Sequence, residues 1–347
     1  MICTPAAEWD WNIAVFCQNE QDTIIRCLRS IEQASRGHRV LVCLIVNGST
    51  DSSIERAIEF AASCTFDFIV ASIETGDKAN AINTFNEVLR VAARTYIYVD
   101  GYVGFTPGSL QALAACLADT PDAVAATGIC TTGRTMKNAT QKTLEEGGVL
   151  HGQLHAFRPE FIARMSERKI RLPIGLYWGD GLLGSMAAHD LDAVGSQWVD
   201  SRVKGVEDAR YQIESLSIFK LKDLIRQARR MVRQALGRLQ NRAITDLIYR
   251  SNYESLPEYA DDMVKSYLAA HGAPTVSLVF RPFLWKALIQ MKETRRPTPV
   301  SLQARIEYSS RPELDAHIRS PTALLPTSRT CCRPPREPAM TAQVHTS

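Results

Sequence analysis

The sequence predicts an α/β fold: a doubly wound, mostly parallel sheet with helices on both faces, followed by a helical C-terminal region. Three observations carry that expectation. Short apolar runs alternate with segments of helical periodicity from Asn12 to Ile129, the order that builds a parallel sheet. The runs are apolar nearly throughout, as in strands covered on both faces. Polar residues recur where the runs end, the edge at which open α/β sheets bind ligands.

Taken in order, Asn12 to Cys17 is a short apolar strand, followed by Gln18-Asn19-Glu20 and a helix from about Gln21 to Ala34. Ile24, Ile25, Leu28 and Ile31 fall at helical spacing there. Arg39 to Val46 is a second strand, ending in Asn47-Gly-Ser-Thr-Asp51, where Ser49, Thr50 or Asp51 can cap the helix that runs to about Ala62. Phe66 to Ile73 is a third strand, and Gly76-Asp77-Lys78 opens a helix from Ala79 to Ala93. Thr95 to Val99 is β-branched or aromatic and reads as a buried fourth strand ending at Asp100-Gly101. Pro107 suits the first turn of a helix over Gly108 to Ala118, and Ala123 to Ile129 is a fifth strand.

Beyond that point the pattern loosens. Cys130 to Gly148 is polar and reads as a mobile loop, Leu150 to Arg158 as a strand, and Pro159 to Arg168 as a short helix. Ala193 to Asp200 reads as a strand and Tyr211 to Ser215 as an extended segment. Ile218 to Arg242 carries a helical apolar stripe through Leu221, Leu224, Ile225, Val232 and Leu239. Its other face holds eight cations against one acid, Asp223. Such a face is solvated, or meets an anionic membrane surface or a pyrophosphate. From Arg296 onward the chain holds half of its 16 prolines and little periodicity, the composition of a disordered tail. The expected division is a sheet domain over 1–217, a helical extension over 218–295 and a tail over 296–347.

Composition narrows the function classes. Of 347 residues, 45% are hydrophobic and 22% charged, as in globular proteins. A net charge of +3 is too small for a nucleic-acid binder. The nine cysteines show no CxxC pair and no metal-ligand spacing, which fits a reducing cytoplasm. Met1 to Asp10 has no signal-peptide pattern, and no apolar run reaches the ~18–20 residues of a membrane span. The expectation is a cytoplasmic protein, peripheral on the membrane if its basic face binds lipid. There is no GxGxxG and no Walker-type loop, against dinucleotide and P-loop readings.

Asn19, Glu20, Asn47, Asp51, Lys78 and Asp100 all fall at strand ends. Each alone is also an ordinary cap or turn residue; together they mark one sheet edge. Asp100 is placed to face a nucleotide diphosphate through a divalent cation. Leu176-Tyr-Trp-Gly-Asp180-Gly sets a lone carboxylate beside two aromatics. That suits a sugar pocket, where a ring covers the apolar face of a pyranose and the acid takes a hydroxyl proton. Asp180 is equally a helix N-cap before Leu182.

These residues resemble family 2 glycosyltransferases, whose fold is GT-A. Ala14-Val-Phe-Cys-Gln-Asn-Glu20 is similar to that family's first strand with its Asn-Glu end, and Val46-Asn-Gly-Ser-Thr-Asp51 to its Asp-Asp/Asn-Gly-Ser-x-Asp turn. Lys78-Ala-Asn-Ala-Ile-Asn83 is similar to a Lys-Ala-x-Ala-Leu-Asn run, and Tyr98-Val-Asp100-Gly-Tyr102 occupies the Asp-x-Asp position. Gly152 to Arg158 resembles a strand ending in Phe-Arg, Gly179-Asp180 stands at the Glu-Asp position, and Gln227-Ala-Arg-Arg-Met231 resembles Gln-x-x-Arg-Trp. The resemblance runs from Asn12 to Gly237; it rests on the order of seven weak motifs.

The resemblance implies an inverting, hexosyltransferase-like enzyme with a nucleotide-sugar donor, UDP being the expected nucleotide. It implies a saccharide or lipid-linked acceptor, as in polysaccharide or glycolipid synthesis. Asp180 would be the base and Asp100 the ligand of Mg²⁺ or Mn²⁺. Glu20, Asn47 and Asp51 would line the nucleoside pocket, Arg230 and Lys78 would supplement the metal at the diphosphate, and Gln227 and Arg230 would close over donor or acceptor. Four positions depart from the family: Val46 and Tyr102 replace acids, Gly179 replaces the Glu before the base, and Met231 replaces the Trp. The alternatives are a non-catalytic or regulatory nucleotide-sugar-binding domain, a nucleotidyltransferase, and a membrane-interaction protein resting on the basic helix alone.

Overall fold

The computed structural model describes residues 9–213, 221–272, 281–293 and 304–314. Nine strands form one sheet: β1 (Trp9–Cys17), β2 (Val40–Asn47), β3 (Asp67–Ile73), β4 (Ala93–Asp100), β5 (Gly104–Phe105), β6 (Ala125–Cys130), β7 (Leu154–Phe157), β8 (Val203–Gln212) and β9 (Arg305–Ser309). Ten α-helices accompany them: α1 (Ile24–Ala34), α2 (Ser53–Ala61), α3 (Lys78–Thr84), α4 (Ser109–Asp119), α5 (Arg134–Glu146), α6 (Pro159–Glu167), α7 (Gly179–Ala188), α8 (Leu221–Ser251), α9 (Ala260–His271) and α10 (Arg281–Glu293).

The strand order is β5-β8-β6-β7-β4-β1-β2-β3-β9. β3, β2, β1 and β4 run parallel, as do β6 and β8, whereas β7 lies antiparallel between β4 and β6. The sheet is thus mixed, with a parallel half built from the predicted strand–helix alternation. The period-two geometry of a strand divides its residues between two cores. On β1, Ala14 and Phe16 enter one core while Ile13, Val15 and Cys17 enter the other. On β4, Tyr98 faces the first and Val99 the second, so Asp100 at the strand's end falls on the Tyr98 face. Phe16 pairs in register with Asp100.

α1 follows its apolar period: Ile24, Cys27, Leu28, Ile31 and Ala34 are buried. The later helices share the sheet's core rather than forming a separate layer. Ala235, Leu239, Ala243, Ile244 and Ile248 of α8, and Met263 and Val264 of α9, belong to the same apolar cluster as Tyr98 and Phe157.

Four expectations are corrected. Residues 130–148 are not a loop: α5 occupies most of them. Its inner face is Thr140 and Thr143 rather than aliphatic, so no apolar period betrays it. The Thr140 hydroxyl accepts the Cys130 N–H at 3.1 Å and donates to the Met136 carbonyl at 3.0 Å. Residues 193–200 are a turn, not a strand, because Asp192 accepts the Val194 and Gly195 N–H groups at 3.2 and 2.8 Å; the strand begins at Val203. The helix expected over 79–93 ends early. α3 passes at Phe85 into a π-turn over Phe85–Leu89, and Ala93 already pairs with Trp9. Within the expected tail, β9 adds an antiparallel edge to β3, held by Ser72 donating to Glu307 at 2.6 Å and by the Arg311–Asp67 ion pair at 2.8 Å.

β7 brings His155 into the sheet centre, fully buried and stacked on Tyr98 at 5.1 Å. Burial, and then the Lys78 charge, push its pKa down to about 3. A ring that stays neutral in the folded state binds fewer protons than the unfolded chain below about pH 6.5. Stability therefore falls as pH falls through that window. The expected loss attributable to His155 between pH 7 and pH 5 is on the order of 2 kcal/mol. Urea unfolding at the two pH values should show it for the native chain and show a smaller difference for His155→Phe.

Candidate active site

The carboxyl ends of β1, β2, β3 and β4 lie side by side, and the loops that leave them are stitched together by polar side chains. The Asn19 N–H donates to the Ser49 hydroxyl at 2.9 Å, and the Thr50 N–H donates to the Asn19 side-chain oxygen at 2.8 Å. Asp51 accepts from the Gln21 N–H at 3.0 Å and from the Ser53 hydroxyl at 2.6 Å. Burial raises the Asp51 pKa, but the bonds from Ser53 and Gln21 outweigh it and hold the pKa below the usual carboxylate value. Asn47 is buried and donates to the Cys17 carbonyl at 2.8 Å. Glu20 accepts the Thr23 hydroxyl at 2.5 Å, and its N–H donates to Ser53. Gly48 has φ +61°, and a Cβ there would lie 2.3 Å from the Gly76 nitrogen. Only glycine permits both that backbone and that approach.

Glu20, Asn47 and Asp51 thus stand on the two neighbouring loops that leave β1 and β2. Asn47 and Asp51 are also the bonds that hold the loops in shape. An apolar replacement at either position removes partners from buried or half-buried groups.

The second cluster forms where β4 ends. The Asp100 carboxylate has partners on both oxygens: Lys78 Nζ on Oδ1 and the Tyr102 hydroxyl on Oδ2, the latter at 2.9 Å. Burial, and then the Asp100 charge, push the Tyr102 phenol well above its ordinary pKa, so it stays a donor. Lys78 is the first residue of α3, whose N-cap Asp77 accepts the Asn80 N–H at 2.7 Å. The same carboxylate accepts the Gly175 N–H at 2.7 Å, tying α3 to the segment that leads into α7. Lys78 also donates to the Gly152 carbonyl at 3.1 Å.

Asp180 completes the constellation. It lies in the first turn of α7, with Trp178 rather than Asp180 at the N-cap. A carboxylate there complements the helix dipole. Asp180 Oδ2 accepts the Gly152 N–H at 3.1 Å. One residue, Gly152, therefore touches the ammonium of Lys78 through its carbonyl and the carboxylate of Asp180 through its N–H. Beside Asp180, burial lowers the His151 pKa while the Asp180 charge opposes it, and His151 shares a 2.8 Å hydrogen bond with Thr143.

Tyr177 and Trp178 pack against α8. The Tyr177 N–H donates to the buried Gln240 side chain at 2.9 Å, and Gln240 donates to the Gly175 carbonyl at 2.8 Å. The Arg233 guanidinium lies 5.6 Å from the Tyr177 ring centre. Gln227 and Arg230 fall on the first turns of α8, but their side chains lie outside the described residues.

Sequence reasoning missed Asp77, Gly152 and Gln240. Asp77 was legible as a cap in Gly76-Asp77-Lys78; Gly152 acts through its own backbone N–H and carbonyl, and Gln240 through a side-chain amide bonded to distant backbone groups.

A divalent ion is the group the sequence resemblance implies here. The protein side offers it a thin donor set. Among the described residues no three His, Cys, Asp or Glu side chains converge. Asp100 is the single carboxylate of its cluster, and both of its oxygens are hydrogen-bonded. Hard divalent cations take several oxygen ligands, and Tyr102 contributes a protonated phenol instead of a second carboxylate.

A Cβ at Gly152 would lie 2.8 Å from Asp180 Oδ2 and 3.0 Å from its Cβ and Cγ. Gly152→Ala should therefore cost about 1–3 kcal/mol by overpacking, read by urea unfolding. Adding Asp180→Ala removes most of the obstructing atoms, and the cost of Gly152→Ala in that background should fall by about half or more.

No family model matches the sequence, and no curated protein matches it. Solved structures do match its fold. The mannosyltransferase PcManGT of Pyrobaculum calidifontis, solved with GDP-Man and Mn²⁺, is 18% identical and superposes with a TM-score of 0.50 over 82% of this chain and 86% of its own. Residues 1–349 of S. aureus TarS are 15% identical, with a TM-score of 0.51 over 81% of this chain and 80% of theirs. The nine-stranded mixed sheet with helices on both faces thus shares the GT-A fold of these glycosyltransferases.

Proposed function

We propose that this chain is an inverting family 2-type glycosyltransferase. It would move a sugar from a nucleotide-diphosphate donor, with UDP the expected nucleotide, to an acceptor hydroxyl. One observation carries the reading: at the carboxyl edge of the sheet, Gly152 sets a lysine ammonium and a lone carboxylate on either side of a single residue.

The chemistry needs both. In a direct displacement the acceptor oxygen forms its bond to the anomeric carbon. The bond from that carbon to the diphosphate oxygen breaks, and its electron pair leaves with the diphosphate. Attack from the opposite side inverts the anomeric centre. Asp180 takes the acceptor's proton, a role that requires hydrogen-bond reach to the hydroxyl. Its half-exposed place at the start of α7 supports that assignment. Positive charge held at the leaving oxygen stabilises the transition state where charge develops.

Glu20, Asn47 and Asp51 frame the nucleoside side, with Asn47 and Asp51 acting by shaping the two loops. Gln227 and Arg230 on α8 are assigned to close over donor or acceptor, and Trp178 offers a ring to the acceptor sugar. The acceptor is a saccharide, free or lipid-linked. No helix among the described residues is long and apolar enough to cross a membrane. A cytoplasmic enzyme, working at the membrane face when the acceptor is lipid-linked, fits the proposal.

Tyr102 in place of a second acid favours one other reading, a nucleotide-sugar-binding domain without turnover. Asp180→Asn separates the two. The native chain should release UDP or GDP from the corresponding donor. The variant should do so roughly 10²–10⁴ times more slowly, while its affinity for the free diphosphate stays unchanged. A native chain that binds nucleotide but never turns it over supports the non-catalytic reading.

A further inference from the structure

We propose that Lys78 is the built-in cation of the donor site: its ammonium, anchored by Asp100, receives the donor's diphosphate without a divalent metal. The inference rests on the glycosyltransferase reading and names what meets the diphosphate.

Four observations lead there. Both oxygens of Asp100 are engaged, one by Lys78 and one by Tyr102. A metal on Asp100 would have to displace one of them. Tyr102 is a phenol kept protonated by its surroundings, so it cannot supply the second negative ligand. The ion pair is also oriented: the Lys78 side chain is 39% exposed while that of Asp100 is 9% exposed. The carboxylate is the buried anchor and the ammonium is the face presented outward. Finally, an ammonium has three donors, and two are spent on Asp100 and the Gly152 carbonyl. The third remains for an oxygen of a ligand.

A metal ion at this position would be held by a carboxylate and would present positive charge to phosphate oxygens. The Asp100–Lys78 unit does the same with a covalently attached cation. A charge-assisted bond from nitrogen to a phosphate oxygen is among the stronger hydrogen bonds. During transfer the diphosphate oxygen that gains the electron pair is neutralised by Lys78 Nζ, while the acceptor's proton goes to Asp180. The two groups keep their separation because both are bonded to Gly152.

The Phe16 ring, 5.9 Å from Lys78 Nζ, covers one side of the ammonium and limits competing water there. Asp100→Asn would leave Lys78 without its anionic anchor, so that variant should weaken diphosphate binding as well, though its own oxygen never touches the ligand.

The test is isothermal titration of the full chain with UDP and with GDP, once in EDTA and once in MnCl₂, for the native protein, Lys78→Met and Lys78→Arg. Uridine and guanosine serve as phosphate-free controls. The expected result is that one diphosphate binds the native chain in EDTA, with an affinity within about threefold of that in MnCl₂. Lys78→Met should lose about tenfold or more in EDTA, Lys78→Arg should retain most of the affinity, and the matching nucleoside should bind all three proteins alike. Equal nucleoside binding shows that the variants are folded.

Binding that appears only with Mn²⁺, and survives Lys78→Met, overturns the inference while leaving the glycosyltransferase reading in place. No binding of either diphosphate by the native chain, with or without Mn²⁺, overturns both.

Discussion

A lysine ammonium wedged between a strand-end carboxylate and a glycine carbonyl organises the carboxyl edge of this sheet. Asp100 is carried there by β4, whose alternation places it on the same face as Tyr98 and beside Phe16 of the neighbouring strand. Lys78 is carried there by α3, whose first turn is fixed by Asp77, and Asp77 in turn holds Gly175. Gly152 arrives just ahead of β7 and meets Asp180 from the first turn of α7. Four elements that are far apart in sequence therefore meet within a few hydrogen bonds. Burying the Asp100 carboxylate is tolerable only because charge and hydrogen bonds compensate it. The same compensation leaves a cation facing outward.

That arrangement explains why the helices after the sheet domain belong to its core. α8 contacts the segment from Gly175 to Trp178 through Gln240 and buries Ala235, Leu239 and Ala243 in the sheet's apolar cluster. The position of Asp180 is thus set from two sides, by Gly152 beneath it and by α8 behind the residues that precede it. α8 and α9 thus pack on the sheet's own apolar cluster.

Much of the parallel half was legible in the sequence because hydrophobic period and strand-end polarity agree there. β1, β2, β3 and β4 all read as apolar runs, and Glu20, Asn47, Asp51, Lys78 and Asp100 stand at their ends. What was hidden follows a common cause. α5 faces the sheet with Thr140 and Thr143, so its buried face carries hydroxyls satisfied by the backbone and by His151, invisible to a hydropathy pattern. β9 sits in a proline-rich stretch whose composition masks the pairing of Ile306 and Tyr308 with β3. At the site, the sequence marked Asp100 and Asp180 but not what joins them. That link runs from Lys78 through the backbone carbonyl and N–H of one glycine, and backbone groups leave no trace in residue identity.

On the proposed function, the Lys78–Asp100 unit and Asp180 flank one donor site. A crystal structure of the full chain with UDP or GDP bound in EDTA tests it most directly. The distal phosphate should then sit on Lys78 Nζ, the nucleoside along the loops that carry Glu20 and Asn47, with open space for a sugar and its acceptor between that phosphate and the Asp180 carboxylate. A nucleotide bound elsewhere, with Lys78 touching only Asp100 and Gly152, would contradict it.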